Sequence, residues 1–290
     1  MATWSAPGKL FLFGEHAVVY GKPGIAMAIK PRVTVTVRES SHYTKHNSPY
    51  ISECFRMLNL NGQIYVRSQL PSASGLGSSS AITVATMSAI NDEFNLGMSK
   101  TEIAHRSHQV ELSVQNMHAS ATDTYTATFG GMVLLNGNEK RRVVPQSQLH
   151  FVIGNSLTSH NTANMVAKVS EFHKQFPNIV NPIFDVISII TIKALYNLNN
   201  PVELGRLMDM NHALLDALGV GHPKISNLVL SARSAGAYGA KITGAGGGGC
   251  MYALCPKNLR NRVVGAIEGC QAHAIVTSID TEGARKEKDD

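Results

Sequence analysis

The first third of the chain alternates apolar and polar residues in the way that strands buried on one face do. Lys9–Phe13 is a short apolar run, and Thr34–Arg38 alternates strictly as TVTVR. Ile64–Val66 is a weaker run of the same kind. We therefore predict that the chain opens with strands.

Helical spacing begins after residue 80. Apolar positions in Ala81–Leu96 recur near every third or fourth residue, and Gly97 can end that helix. Ser99–Glu102 (SKTE) is a capping box, which predicts a second helix that begins there and reaches about Gln115. The following segment, 116–123, has no helical spacing and is predicted to be a loop.

A strand and a hairpin turn follow. Phe129–Leu135 (FGGMVLL) is typical of a turn that leads into a strand, and Asn136-Gly137 is a hairpin-type turn. The composition becomes polar over 138–148, and we place a domain boundary there, which divides the chain into 1–147 and 148–290.

The second part interleaves strands and helices. Predicted strands are Leu149–Gly154, Ala240–Thr243, Cys250–Leu254 and Ala274–Ile279; predicted helices are Glu203–Leu218, Pro223–Ala235 and Leu259–Ile267. Because the strands and helices lack the regular spacing of βαβ units, the pattern favours an α+β fold over a doubly wound parallel sheet.

Composition narrows the class of protein. The chain has 290 residues, of which 43% are hydrophobic and 16% charged, so it can bury a large core and is not a disordered chain. The formal net charge is +6, but the cations are scattered, and the densest run is Lys140–Arg142. This surface suits anionic small molecules, and we expect no nucleic-acid partner.

The four cysteines form no CxxC pair and no zinc-ligand spacing with histidine, which is typical of thiols in a reducing cytosol. Leu10–Phe13 is too short for the core of a signal peptide. The nearest approach to the roughly 18 apolar residues of a membrane span is Val186–Leu198, which Lys193 interrupts. We therefore expect a cytoplasmic protein without a membrane partner.

The most informative segment is Pro71–Ala81 (PSASGLGSSSA), a glycine turn and three hydroxyls directly before a predicted helix. Glycines let the backbone approach a ligand closely, and the first amides of a helix are free to bind phosphate. A Walker A loop would need a lysine after Gly77, and a dinucleotide fingerprint would need a third glycine. Neither of these patterns is present.

Three segments in order carry a family resemblance: Ser5–Gly21 (SAPGKLFLFGEHAVVYG), Pro71–Ala81 and Lys241–Cys250 (KITGAGGGGC). Together they resemble the GHMP kinase superfamily, which includes galactokinases, homoserine kinases and mevalonate kinases. Within it the chain resembles the mevalonate kinases, in their short archaeal form, through Gly14–Gly21, Thr122–Tyr125, Phe129–Gly131 and Met210–Val220.

The resemblance implies a GHMP kinase fold, with an N-terminal domain like domain 2 of ribosomal protein S5 and a ferredoxin-like C-terminal domain. ATP and the substrate would meet in the cleft between them. The implied reaction phosphorylates the primary hydroxyl of (R)-mevalonate to give 5-phosphomevalonate and ADP, a step of isoprenoid biosynthesis, with Mg²⁺ as cofactor.

The resemblance assigns catalysis to Asp123 and Lys9. Asp123 would accept the proton of the substrate hydroxyl or orient that hydroxyl, since phosphoryl transfer depends mainly on positioning and charge neutralisation. Lys9 would hold Asp123 in its ionised form. Without the resemblance, Asp123 is a turn-capping residue and Lys9 a lysine at a strand edge.

By the same resemblance, Ser79 and Glu111 are the Mg²⁺ ligands, which suits a metal that takes few protein oxygens. The alternative for Glu111 is a solvated helix face. Between Gln115 and Asp123 the chain is one residue longer than the family pattern. We expect this insertion to bulge the loop and to leave Glu111 in register.

The remaining implied contacts concern ATP and mevalonate. The phosphates would lie against Pro71, Ser72, Ala73, Ser74, Gly75, Leu76, Gly77, Ser78, Ser79, Ser80 and Ala81, with Gly246 and Gly247 closing over them. Mevalonate would contact Lys9, Glu15, His16, Asp123 and Thr162. The alternative for His16 is a buried core histidine.

Three other functions stay open at this stage. The chain could be another GHMP kinase, acting on phosphomevalonate or a sugar, or a non-catalytic ATP-binding sensor of the same fold. A nicotinamide dehydrogenase is the weakest alternative. The sequence also leaves open whether the chain forms a homodimer.

Overall fold

The computed structural model describes residues 1–41, 47–71, 74–115, 117, 119–137, 139–143, 145–158 and 161–288. Its strands are β1 (Ala2–Phe13), β2 (Gly24–Glu39), β3 (Gly62–Ser68), β4 (Met132–Asn136), β5 (Glu139–Val143), β6 (Phe151–Asn155), β7 (Gly239–Ile242), β8 (Cys250–Leu254), β9 (His273–Thr277) and β10 (Arg285–Lys286). Its α-helices are α1 (Pro49–Leu58), α2 (Ser78–Glu93), α3 (Lys100–Val114), α4 (Ala121–Phe129), α5 (Thr162–Gln175), α6 (Pro177–Tyr196), α7 (Pro201–Ala217), α8 (Pro223–Ser234) and α9 (Arg260–Gly269). Short 3-10 helices span Ala17–Tyr20 and Lys257–Leu259.

The first sheet has the order β10-β1-β2-β4-β5, and β3 pairs with the far end of β2. Helix α2 packs on β1 and β2, and both strands are largely buried. Opposite β1, the pairing jumps from Pro7–Arg32 to Gly8–Ile29, so β2 carries extra residues there. Such a bulge bends the strand and changes where the next side chains point, and the next side chain on β1 is Lys9.

The second sheet is antiparallel with the order β7-β8-β6-β9. In chain order it is a strand, helices, two strands, a helix and a strand, which is the β-α-β-β-α-β succession of a ferredoxin-like domain. Strand β10 then returns to pair with β1 at Trp4 and Ser5. The predicted α+β class is confirmed, and the second sheet has the predicted ferredoxin-like order.

Most of the predicted strands and the second-half helices are confirmed within a few residues, and so is the hairpin of β4 and β5. The Ser99–Glu102 capping box is present in full, with the Ser99 amide donating to Glu102 Oε2 at 2.8 Å. The predicted end of α2 is wrong. The helix ends at Glu93 rather than near Gly97, because Asn95 already has a left-handed φ of 52°.

Helix α6 is longer than Val186–Leu198, the stretch that the sequence analysis identified as the nearest approach to a membrane span. It has 20 residues and a mean hydropathy of 1.6, and by length and composition alone it could cross a membrane. One-third of that segment is buried, including Phe184 and Ile187 against the core. A single helix of this kind is weak evidence for a membrane, since core helices meet the same criterion.

Two glycines allow helix α7 to lie directly against strand β7. A Cβ added at Gly205 would come within 2.2 Å of the Tyr238 carbonyl oxygen, and one at Gly239 within 2.0 Å of the Gly205 carbonyl oxygen. Both neighbours are backbone atoms, which cannot move as a flexible side chain can. Only hydrogen fits at these positions.

We therefore predict that Gly205→Ala lowers the free energy of unfolding by about 1–3 kcal/mol, the usual cost of overpacking. The matched control is Gly265→Ala in α9, where an added Cβ meets nothing within 4 Å. That change should raise stability by about 0.5–1 kcal/mol through helix propensity. Chemical denaturation of both variants checks this, and equal effects would contradict the packing argument.

Candidate active site

The amino end of α2 is open towards a cleft. Gly77 precedes the helix with a left-handed φ of 70°, and the first amide bonded within the helix is that of Ala81, which donates to the Gly77 carbonyl at 3.0 Å. The amides of Ser78, Ser79 and Ser80 precede this bond and have no acceptor within the helix. Together with the helix dipole they form a place for an anion.

Lys9 and Asp123 meet beside this helix end. Lys9 Nζ lies 3.0 Å from Asp123 Oδ2, and the two side chains are 11% and 24% exposed. The Lys9 amide donates to the Leu76 carbonyl at 2.8 Å, which ties β1 to the glycine turn. A Cβ at Gly77 would lie 2.6 Å from Lys9 Cγ, so a glycine is required there. Lys9 and Asp123 lie 114 positions apart in the chain, and only the family resemblance predicted that they would be close together.

Asp123 lies in the first turn of α4, and the prediction that 116–123 is a loop is wrong from Ala121 onward. The Ser120 hydroxyl accepts a hydrogen bond from the Thr122 amide at 3.3 Å and so caps the helix. A serine before a helix is a recognised start signal, and this one was overlooked. Its consequence is that Asp123 has a fixed helical backbone.

Glu111 projects from α3 to the amino end of α2. Its Oε1 accepts a hydrogen bond from the Ser80 hydroxyl at 2.7 Å, and it also bonds to Ser79. Burial, reinforced by the charge of Asp123, raises the pKa of Glu111 to about 7. Glu111 therefore faces the cleft.

These groups line a cleft of about 560 Å³. Predicted site residues that line it are Lys9, Ser74, Gly75, Gly77, Ser78, Ser79, Glu111, Asp123 and Thr162. Residues that the sequence analysis did not single out also line it, namely Ser48, Tyr50, Ile82, Gln115, Ser120, Gly244 and Ala245. The Tyr50 hydroxyl bonds to the side chains of Ser79 and Gln115, and so joins α1 to the cleft.

Other predicted residues lie behind the lining of this cleft. Leu76, Ser80 and Ala81 are buried beneath the helix end, and the Pro71 carbonyl accepts from the Ser74 hydroxyl at 2.8 Å. Ser72 and Ala73 lie outside the described residues. Among the described residues of this segment, Ser74, Gly75, Gly77, Ser78 and Ser79 line the cleft.

The second glycine loop presents Gly244 and Ala245 to the cleft, rather than Gly246 and Gly247. The Gly247 amide donates to the Val220 carbonyl at 2.8 Å, and a Cβ at Gly246 would lie 2.3 Å from the same oxygen. These two glycines pack the loop against Val220, in the segment that follows α7.

Glu15 and His16 are also set back from the cleft. Both are buried, and Glu15 forms an ion pair with Lys241, which is fully buried in β7. His16 Nε2 lies 2.9 Å from the Ala245 carbonyl, to which it donates, and burial lowers the pKa of the imidazole. Lys241 was missed, although a lysine inside a short apolar strand is a signal that a buried partner exists.

Comparisons with known proteins agree with this geometry. The models of the GHMP kinases N terminal domain and the GHMP kinases C terminal domain match residues 47–131 and 191–270. The mevalonate kinase of Methanothermobacter thermautotrophicus is 43% identical over 87% of this chain and 89% of that protein. The mevalonate kinase of Thermococcus onnurineus is 38% identical over 98% of each chain.

The solved structures give the same relationship. The crystal structure of Methanococcus jannaschii mevalonate kinase superposes with a TM-score of 0.85 at 27% identity, covering 96% of this chain and 98% of that chain. The chain therefore belongs to the mevalonate kinase family of the GHMP kinases.

Proposed function

We propose that this chain transfers the γ-phosphoryl group of ATP to the primary hydroxyl of (R)-mevalonate, forming 5-phosphomevalonate and ADP. The observation that carries the proposal is the Lys9–Asp123 ion pair beside the open amino end of α2 in one cleft. The relatives at 38–43% identity are named mevalonate kinases, which favours this alcohol over other substrates of the superfamily.

The phosphates of ATP would lie at the amino end of α2. The amides of Ser78, Ser79 and Ser80, which have no acceptor within the helix, would supply donors, and Gly75 and Gly77 let the backbone come close to the ligand. Within the predicted phosphate-binding segment Pro71–Ala81, we propose that the residues lining the cleft contact the phosphates. Gly246 and Gly247 would then support the second glycine loop from behind.

Asp123 would receive or orient the proton of the attacking hydroxyl. In the transfer, a bond forms between that oxygen and the γ-phosphorus while the bond to the bridging oxygen of ADP breaks. Lys9, 3.0 Å from Asp123, neutralises the carboxylate and stabilises negative charge as it moves across the reacting oxygens. Most of the acceleration would come from positioning these groups.

The residues present fit Mg²⁺. Glu111 is a carboxylate that burial and Asp123 destabilise in its charged form, and a cation would relieve this. Ser79 adds a hydroxyl oxygen, and Mg²⁺ commonly takes one or two protein oxygens together with phosphate and water. When bound, the metal would neutralise charge on the β- and γ-phosphates. Glu111 and Ser79 would hold it against α2.

Thr162 is the proposed residue of direct mevalonate contact in the second domain. It begins α5, lines the cleft, and is exposed to it. Glu15 and His16 lie behind the residues that line the cleft. They would affect mevalonate binding indirectly, because the turn that they form supports that lining. We retain the division into 1–147 and 148–290 as the proposed domain boundary.

The proposed setting is the cytoplasm. The described cysteines are all free thiols, and burial raises the pKa of the Cys255 thiol to about 11, which suits a reducing compartment. We propose small-molecule partners alone, without nucleic acid or membrane, and leave a homodimer open to a test of size in solution.

A coupled ADP-release assay tests the substrate. Turnover with (R)-mevalonate, and little with 5-phosphomevalonate or galactose, is the expected result. Turnover with one of the other two compounds and none with (R)-mevalonate would overturn the proposed substrate. ATP binding without turnover on any of them would favour the non-catalytic sensor.

Asp123→Asn is expected to lower kcat by about 10²–10⁴-fold, the usual contribution of a positioned acid–base group. Binding of a fluorescent ATP analogue should change little, because the amides of α2 are untouched. Asp185→Asn is the matched control, since Asp185 pairs with Lys22 in an exposed ion pair and such pairs contribute little. Near-normal turnover by Asp123→Asn would remove Asp123 from the mechanism.

Glu111→Gln tests the electrostatics of the proposed metal site. The free energy of unfolding is measured with a chelator present and without nucleotide. Because the folded-state pKa of Glu111, about 7, lies above its ordinary value of 4.5, the wild type loses stability as pH rises between these values. The variant has no carboxyl group at this position and does not lose stability in this way. Its free energy of unfolding minus that of the wild type should therefore increase by about 2–3 kcal/mol from pH 4.5 to pH 8. Denaturant titrations at several pH values measure it.

The control for that series is Glu171→Gln, an exposed glutamate on α5. Its stability difference from wild type should stay constant with pH. A flat difference for Glu111→Gln as well would mean that Glu111 is not held in the buried environment described above.

A further inference from the structure

We propose that Lys241 is a positioning residue for phosphoryl transfer: by pairing with Glu15 it locks the end of β7 to the end of β1 and so fixes the two walls of the cleft relative to each other. The inference rests on the proposed function for its assay. It concerns a residue that lies behind the lining of the cleft and so acts on the reaction indirectly.

The surroundings of Lys241 are those of a fixed ammonium. Its side chain is fully buried and bonds to Glu15 Oε1, and Nζ also donates to the Ile242 carbonyl at 2.8 Å. The ring centroids of Tyr252 and Phe13 lie 5.4 Å and 6.0 Å from Nζ. A long lysine side chain is thus restricted to one position.

Two further side chains join the end of β1 to the second part of the chain: Thr243, directly after β7, and Tyr252 on β8. Thr243 Oγ1 accepts from the Phe11 amide at 2.9 Å and lies 3.1 Å from the Phe11 carbonyl, to which it donates. The Tyr252 hydroxyl donates to the Leu12 carbonyl at 2.6 Å. Lys241 and Glu15 are the charged members of this junction between the first sheet and the second.

The junction leads to both walls of the cleft. Along β1 it reaches Lys9, two residues before Phe11, and the charge of Lys9 acts on Glu15. Along β7 it reaches Gly244 and Ala245, which line the cleft. A shift at the junction therefore changes the separation between the Lys9 wall and the second glycine loop.

The turn at Glu15 also needs support. His16 follows with a φ of 61°, an uncommon value for a residue other than glycine, and its imidazole bonds to Ala245. Backbone of this kind persists where the surroundings determine it from several sides. The Lys241–Glu15 pair holds one side of the turn and Ala245 holds the other.

Stability alone is a poor explanation for the pair. Burial raises the pKa of Glu15 and lowers that of Lys241, so desolvation opposes the charges that their attraction stabilises. Replacing a buried ion pair by apolar residues of similar size is often neutral or stabilising, whereas removing one partner is strongly destabilising. The ion pair differs from an apolar pair in that it fixes the position of the two side chains relative to each other.

Three variants separate geometry from stability: Lys241→Met, Glu15→Met, and the double variant. Each single change should lower the midpoint of thermal unfolding by several degrees, because it leaves one buried charge unpaired. The double variant should recover most of that midpoint. Its kcat should nevertheless stay about 100-fold below wild type, the effect of a displacement near 1 Å, with the KM for ATP within a few-fold.

The matched control is Lys22→Met, which removes a lysine from an exposed pair that also bridges the two parts of the chain. It should change neither kcat nor the midpoint by a measurable amount. Thr243→Val is a second test that leaves the charges in place. It should lower kcat in the same direction, since it removes the hydroxyl that joins Phe11 to β7.

A double variant that regains wild-type kcat together with its stability would overturn the proposal, because the pair would then be structural only. If the double variant fails to fold, wild-type kcat in Thr243→Val would overturn it. The proposed function fails separately, when the wild type does not phosphorylate mevalonate. The same comparison is then made with whichever alcohol the wild type does phosphorylate.

Discussion

The ion pair of Lys9 with Asp123 depends on one strand being held from both sides. On one side of Lys9, the bulge at Gly8 and the hydrogen bond to Leu76 fix β1 against the glycine turn. On the other side, Phe11 bonds to Thr243, which directly follows β7 of the second sheet. Because β1 contacts both sheets, its position sets where the ammonium lies relative to the cleft.

The position of β1 also depends on close contact between its backbone and the turn before α2. A Cβ at Gly8 would lie 2.8 Å from the Leu76 carbonyl oxygen, and one at Gly77 would strike the Lys9 side chain. The two glycines therefore let the turn before α2 lie directly on β1. This contact places the open amides of α2 beside Lys9 without any intervening side chain, and it gives Gly8 and Gly77 a packing role in addition to any contact with a ligand.

The sequence predicted what depends on local chemistry and on the family resemblance. The capping box at Ser99 defined α3, and the resemblance selected Asp123 and Glu111, which do lie together. It could not place Tyr50, which reaches Ser79 only because α1 packs beside α2 and α3. Lys241 was missed for a similar reason, since its partner lies 226 residues away.

Four charged side chains at the site are progressively less exposed from the solvent towards the core. Asp123, Lys9, Glu15 and Lys241 alternate in sign, and their side chains are 24%, 11%, 1% and 0% exposed. Since each charge is nearest to an opposite one, the series is neutral as a whole and tolerates burial. Glu111 lies outside this alternation, and burial, reinforced by the charge of Asp123, raises its pKa to about 7. A cation at Glu111 would complete the neutralisation on the side where the triphosphate would enter.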